Sequence, residues 1–251
     1  MQTLEFLKAI VAASGVSGAE AAVATLVRDA FAPLTDEVRT DALGNVNALK
    51  RGEGLPSGAH PRVLLAGHMD EIGLIVTAVE GGFLRFSTVG GFDVRPLLGQ
   101  EVVVHGRREL PGVVGCRAPH VLSPAENERI VPIEDLFIDV GLPAGALAGV
   151  VETGDMVTLR RAPIELGGGH LAGKAMDDRA AVAAIAGCLE LLAHRRHLWD
   201  VYAVATVQEE LGLRGATAAA FGVAPDLGIE IDVTFGSQPG LPEGEAYPLG
   251  G

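Results

Sequence analysis

Lysine is nearly missing from this 251-residue chain: Lys8, Lys50 and Lys174 are its only three, and arginine carries the remaining positive charge. Acidic residues outnumber basic ones, and the formal net charge is −13. A chain so charged repels phosphate backbones, which argues against nucleic acid as a partner. Cysteine is equally scarce, with only Cys116 and Cys188, too few for a disulfide framework or a cysteine-rich zinc site. Aromatic residues make up 4% of the chain, with a single tryptophan, which counts against a sugar-stacking surface. No basic segment followed by an apolar stretch opens the sequence, so nothing there reads as a signal peptide. No apolar run approaches the roughly 20 residues a membrane helix needs. The expectation is a cytoplasmic protein with no membrane partner. Its hydrophobic fraction of 48% is enough for a full core.

The texture changes twice along the chain. Leu4, Leu7, Ile10 and Val11 fall on one helical face, and Val23, Leu26, Val27 and Phe31 repeat the pattern up to Pro33. Residues 36–50 read as a hairpin turning near Leu43-Gly44-Asn45, and Val63 to Ala66 as a strand buried on both faces. After about residue 73 short β-branched runs take over, at 74–79, 82–87, 101–105, 136–140 and 156–160, which reads as a small all-β barrel or sandwich. The Gly167-Gly168-Gly169 run reads as a connector, because no P-loop Lys-Ser/Thr follows it. From 177 the α/β texture returns: a helix bearing Val182, Ile185, Leu189 and Leu192, a strand from Tyr202 to Val207, a short helix after Gly215, and a strand from Leu227 to Val233. Strand–helix–strand order predicts parallel neighbours. The predicted architecture is therefore an α/β domain, a mixed sheet flanked by helices, made of residues 1–72 and 163–251, with an all-β barrel of residues 73–162 inserted in it.

Four polar clusters close predicted elements of the α/β part. His68-Met69-Asp70-Glu71 follows the buried strand, and residues two apart on an extended chain face one way, so Asp70 can orient the His68 imidazole. Asp177-Asp178 opens a helix, where one aspartate could be an N-cap but two exceed that need. Glu209-Glu210 ends the strand 202–207, where neighbouring carboxylates repel unless a cation or proton lies between them. Glu230-Ile231-Asp232 ends the last strand. Open α/β sheets bind ligands at the carboxyl ends of their strands. One histidine among several carboxylates suits a divalent ion, and a two-metal site needs a bridging carboxylate and a free one as base.

The motifs carry a family resemblance. GVSGAE (15–20), DALGNV (41–46), AGHMDEIGL (66–74), VGGFDVRPLLGQEV (89–102), GKAMDDR (173–179), QEELGLRGA (208–216) and IEIDVT (229–234) run in one order along the chain. In them the sequence resembles the glutamyl and deblocking aminopeptidases, tetrahedral dinuclear-metal peptidases also labelled cellulase M. The resemblance implies a zinc-peptidase-like fold and a peptide substrate. It implies two divalent ions, zinc or cobalt, with His68, Asp177 and Asp232 on one and Asp177 bridging to a second that Glu210 also binds. Glu209 would be the general base and Asp70 the residue that orients His68. It also implies a cis peptide between Asp177 and Asp178, and assembly into a homo-oligomer, a dodecamer, through the inserted β-domain. Members of the family are longer, with a last metal-binding histidine beyond the point where this chain stops at Gly251. The remaining histidines, 60, 105, 120, 170, 194 and 197, match no motif and read as ordinary surface or loop residues. Two other readings stand beside the peptidase: a non-catalytic fragment of such an enzyme, and an endoglucanase-type glycoside hydrolase, whose carboxylate pair would leave His68 without a role.

Overall fold

The structure is a computed structural model that describes residues 2–56, 60–242, 244, 247 and 248. The end of the chain at Leu249-Gly250-Gly251 lies outside the described residues. The two amphipathic segments form α1 (Thr3–Ala12) and α2 (Ala21–Phe31), and Pro33 lies in the 3₁₀ turn that ends the second. Ile10, Val11, Val23, Val27 and Phe31 are buried, whereas Leu4 and Leu26 remain partly in solvent. Strands β1 (Glu37–Thr40) and β2 (Val46–Lys50) form the expected antiparallel hairpin. Its turn is set by Asp41, whose Oδ1 accepts the N–H groups of Leu43, Gly44 and Asn45. Gly44 sits at φ +114°, a region that favours glycine.

Strand β3 (Arg62–His68) leads to the site, and the chain then leaves the sheet. Strands β4 (Gly73–Glu80), β5 (Phe83–Val89), β6 (Glu101–His105) and β7 (Glu109–Gly115) follow. After them come the short helix α3 (Pro124–Asn127), β8 (Phe137–Asp139), the single-turn α4 (Ala144–Leu147) and β9 (Met156–Leu159). The six strands close a barrel in the order β4-β5-β8-β7-β6-β9 around Leu84, Leu97, Val104, Ile138 and Val157. Strand β7 is absent from the sequence reading, because Pro111 and Gly112 look like turn residues. Pro111 is tolerated because β8 pairs only from Val113 onward, so one side of the proline faces no ladder partner there.

Strands β10 (Ile164–Leu166) and β11 (His170–Ala172) flank the glycine triplet as a small hairpin, and the chain re-enters the sheet domain through α5 (Met176–Leu192). Strand β12 (Asp200–Thr206), helix α6 (Arg214–Val223) and strand β13 (Leu227–Glu230) complete it. The sheet order is β1-β2-β12-β3-β13, with β12 and β13 both parallel to β3 and β2 antiparallel to β12. The parallel pairing is as expected, but β12 and β13 are not neighbours. Helix α6 packs over both β12 and β3, so the chain crosses β3 before running as β13.

Side-chain alternation along β3 divides two cores. Leu65 packs with Ile10, Val27, Phe31, Val182 and Leu189 beneath α1, α2 and α5, while Leu64 and Ala66 face Ala219 and Val223 of α6. Asn45 ties the β1–β2 turn to the segment after β12: its Nδ2 donates to Gly215 O and its Oδ1 accepts Val207 N–H. Gly215 is required there, since a Cβ would lie 2.3 Å from Val207 O. The strand order thus brings the carboxyl ends of β12, β3 and β13 side by side, next to the start of α5.

Candidate metal and catalytic site

His68 is the last residue of β3 and is 3% exposed. Its Nδ1 lies 3.2 Å from Asp70 O and 3.4 Å from Asp70 Oδ1, and its Nε2 lies 3.0 Å from Asp177 Oδ1 and 3.7 Å from Glu209 Oε2. The imidazole therefore stands between Asp70 on one side and Asp177 and Glu209 on the other. Donor atoms of His68, Asp178 and Asp232 lie within 4.8 Å of one another, and so do those of His68, Glu209 and Glu210. Asp70, Asp177, Glu209, Glu210 and Asp232 are thus drawn around one imidazole, and Asp178, the neighbour of Asp177, joins them.

The two aspartates at the start of α5 separate because the backbone is not yet helical there: Asp177 has ψ 108° and Asp178 ψ 34°, and the peptide between them is cis. Asp177 is exposed, its side chain 60% accessible, whereas Asp178 is fully buried. Asp178 Oδ2 accepts the His68 N–H, but its Oδ1 is buried without a hydrogen-bond partner among the described residues. A buried oxygen with no partner costs stability unless something absent from the chain completes it.

Asp70 is fully buried and well satisfied. Its Oδ1 accepts Glu209 N–H at 3.0 Å, and its Oδ2 accepts Ser17 Oγ–H at 2.5 Å and Glu210 N–H at 3.2 Å. Next to it, Glu71 binds Lys174 Nζ at 2.7 Å and Arg179 at 3.4 Å, and Arg179 also donates to the carbonyls of Met69, Ile10 and Ala13. Lys174 and Arg179 are thus engaged with Glu71 and the N-terminal segment. Among the described residues no lysine or arginine pairs with Asp177, Asp178, Glu209, Glu210 or Asp232.

Crowded, buried carboxylates hold their protons. Burial pushes Glu210 up to about 7, with the Asp177 charge adding to it, and burial with the Asp232 charge does the same for Asp178, also to about 7. Glu209 is raised by burial and by the surrounding acids. Burial opposes a charged His68, but the Asp70 carboxylate bonded to it, with Asp178 and Glu209 nearby, carries it up to about 9. Burial would likewise raise Asp70, yet the His68, Ser17 and Glu209 donors hold it below the usual range.

The remaining histidines stay apart from this cluster. His60, a loop residue as expected, is buried between the carbonyls of Leu198 and Leu55. Beside the cluster, a cleft walled by Ile72, Phe92 and Leu159 opens onto Asp177 and Glu210.

An imidazole ringed by carboxylates on the carboxyl edge of a mixed sheet offers donor atoms that could hold a metal ion. The chain belongs to the M42 glutamyl aminopeptidase family, whose profile matches residues 44–251. The lysyl aminopeptidase of Pyrococcus furiosus is 36% identical over 243 residues, covering 94% of this chain and 67% of the relative. Among solved structures, the TET aminopeptidase of the marine archaeon Thaumarchaeota archaeon SCGC AB-539-E09 superposes with a TM-score of 0.91 at 35% identity, covering 98% of this chain and 69% of that one. The TET1 peptidase of Pyrococcus horikoshii, which can assemble into a tetrahedron or a large octahedral shell, gives a TM-score of 0.84 at 31% identity over 95% of this chain and 71% of that one. The chain spans about two thirds of the length of these proteins.

Proposed function

We propose that this chain carries the metal-binding and proton-transfer residues of a dinuclear metallo-aminopeptidase that removes N-terminal residues from peptides. The observation that supports it most is the carboxylate cluster around His68, in which Asp178 Oδ1 is buried without a partner among the described residues. Such a donor set fits divalent ions with nitrogen and oxygen preference, zinc or cobalt. His68, Asp177 and Asp232 would hold one ion and Asp177 and Glu210 the other, with Asp178 close enough to join or support the first. The ions would supply Lewis acidity, acidifying water and polarising the scissile carbonyl. Glu209 is the base in this reading: Oε2 takes the proton of the attacking water and returns it to the departing amine nitrogen. Its raised affinity for a proton, from burial and the surrounding acids, suits that exchange. The acidic cluster also attracts the ammonium group of a free peptide N-terminus, and the apolar walls of the adjoining cleft suit a side chain beside it.

The exposed apolar residues Phe83, Leu98 and Val113 on the barrel, together with the shells formed by the Pyrococcus horikoshii relative, support assembly into a homo-oligomer through the barrel. Among the described residues no helix is long and apolar enough to cross a membrane. Two free cysteines suit a reducing cytoplasm.

The test is unfolding of metal-stripped and zinc-loaded protein at pH 5 and pH 8, paired with cleavage of an amino-acid p-nitroanilide. In the stripped chain Glu210 and Asp178 have folded pKa values raised to about 7. Their contribution to stability is present below the ordinary carboxylate range and is lost as pH rises through about 7. His68 acts in the same direction, contributing fully below its ordinary 6.5 and losing that contribution as pH climbs through about 9. A bound cation replaces those protons, so zinc is expected to stabilise more at pH 8 than at pH 5. At a hundredfold excess over Kd the gain is about 2.7 kcal/mol, or roughly 5–10 °C. Cleavage is expected to stop on chelation. Zinc stabilisation equal at both pH values, or cleavage that survives chelation, overturns the reading.

A further inference from the structure

The segment GVSGAE lies far from the site residues in sequence, yet it touches both turns that carry them. Val16 and Glu71 form a parallel bridge in which Glu71 N–H donates to Gly15 O and Ser17 N–H to Glu71 O. Ser17 is 2% exposed, and its Oγ donates to Asp70 Oδ2 at 2.5 Å. Three residues on, buried Glu20 accepts the N–H groups of Gly18 and Gln208 on Oε1. Gln208 has φ +54°, and it opens the 3₁₀ turn Glu209–Leu211. The same Asp70 carboxylate accepts the Glu209 and Glu210 N–H groups, so the hydroxyl of Ser17 and the backbone of the catalytic turn share one anchor.

We infer that Ser17 is a positioning residue: through Asp70 it fixes the Glu209–Glu210 turn against His68, and the loop 15–20 acts as the clamp that sets the site's geometry. Among the described residues, Oδ2 of Asp70 has only Ser17 Oγ and Glu210 N–H as donors within 3.2 Å. Without the hydroxyl, one buried carboxylate oxygen is left with a single weak partner, and the carboxylate is free to rotate about its bond to Cβ. Rotation moves the acceptor for Glu209 N–H as well, since both oxygens turn together. The metal-facing carboxylates of Glu209 and Glu210 then lose their fixed backbone. Ser14, just before this segment, provides the contrast: its Oγ meets Thr158 Oγ1 at 3.2 Å, in the barrel and away from Asp70.

This inference deepens the metal-site reading above and rests on it for its affinity arm only. The experiment compares Ser17→Ala, Ser17→Cys, Ser17→Thr and the control Ser14→Ala by two measurements. The first is hydrogen exchange of the Glu209 and Glu210 amides in metal-stripped protein. The second is zinc affinity by competition with a chromophoric chelator. Ser17→Ala and Ser17→Cys are expected to speed exchange at those two amides by about tenfold, with the rest of the sheet unchanged, and to weaken zinc binding by on the order of 10–100-fold. Ser17→Thr, which keeps the hydroxyl, is expected to restore both, and Ser14→Ala to alter neither. If the alanine variant does not fold, the near-isosteric cysteine variant carries the comparison. Unchanged exchange at Glu209 and Glu210 in the hydroxyl-free variants overturns the inference, as does an increase spread evenly over the sheet or matched by Ser14→Ala. Failure of the unmodified chain to bind zinc would instead remove the metal reading, while the exchange arm would still decide the role of Ser17.

Discussion

Replacing Glu209 by glutamine is expected to reduce turnover on an amino-acid p-nitroanilide by on the order of 10²–10⁴ while leaving the metal content of the protein unchanged. The substitution keeps the shape of the side chain and the backbone N–H that Asp70 accepts at 3.0 Å. It removes only the capacity to hold a proton, which is the property burial and the neighbouring acids tune at this position. Glu210→Gln is expected to behave differently. Its carboxyl group lies with the His68 imidazole and the Glu209 carboxyl group, and beside the exposed Asp177. In the proposed scheme it is a ligand, so its loss lowers metal occupancy along with turnover. Metal analysis of the two purified variants beside the assay checks the division. The roles are wrong if Glu209→Gln loses metal and Glu210→Gln keeps it.

Glu71→Ala is expected to cost about 3–5 kcal/mol of stability, a fall of roughly 6–20 °C in Tm, because it strands two buried cations. Glu71 is 4% exposed, and the side chains it pairs with, Lys174 and Arg179, are 7% and 0% exposed. Burial already holds both cations below their ordinary proton affinity, and the Glu71 carboxylate is the main group opposing that effect in each. The same substitution frees Gly15 N–H, which donates to Glu71 Oε1, and so loosens α1 and the loop 15–20 from the end of β3. Pairing Glu71→Ala with Lys174→Met removes one of the stranded charges and is expected to recover part of the loss. Thermal or urea unfolding of the single and double variants measures it, and a loss under about 1 kcal/mol for Glu71→Ala would show that the pair is not a structural staple.

The sequence reading located the strand ends and the change of texture because those features are local. Apolar runs such as Val63–Ala66 state their own burial, and the acids that follow β3, β12 and β13 stand out against them. What escaped it depends on the path of the chain in space. Pro111 disguised β7, since a proline's fitness for a strand depends on which neighbour reaches it. Asp177 and Asp178 are alike on paper, and only the non-helical backbone at the start of α5 sends one into solvent and the other into the interior. Arg179 reads as a charged helix residue, yet it is fully buried because the carbonyls of Ile10 and Ala13, at the end of a distant helix, accept its N–H groups. Ser17 and Glu20 stand in the GVSGAE stretch with no local sign of their partners, and only the packed fold places them on Asp70 and Gln208.

The central claim, that His68 and the carboxylates around it hold divalent metal, is tested most directly by titrating cobalt into metal-stripped protein and following its visible absorption, in the unmodified chain and in His68→Ala. The account predicts saturable uptake of up to two ions in low-symmetry nitrogen–oxygen sites, with uptake in the His68→Ala variant weakened by at least on the order of 10–100-fold. No saturable uptake by the unmodified chain, or uptake that is the same with and without His68, would contradict it.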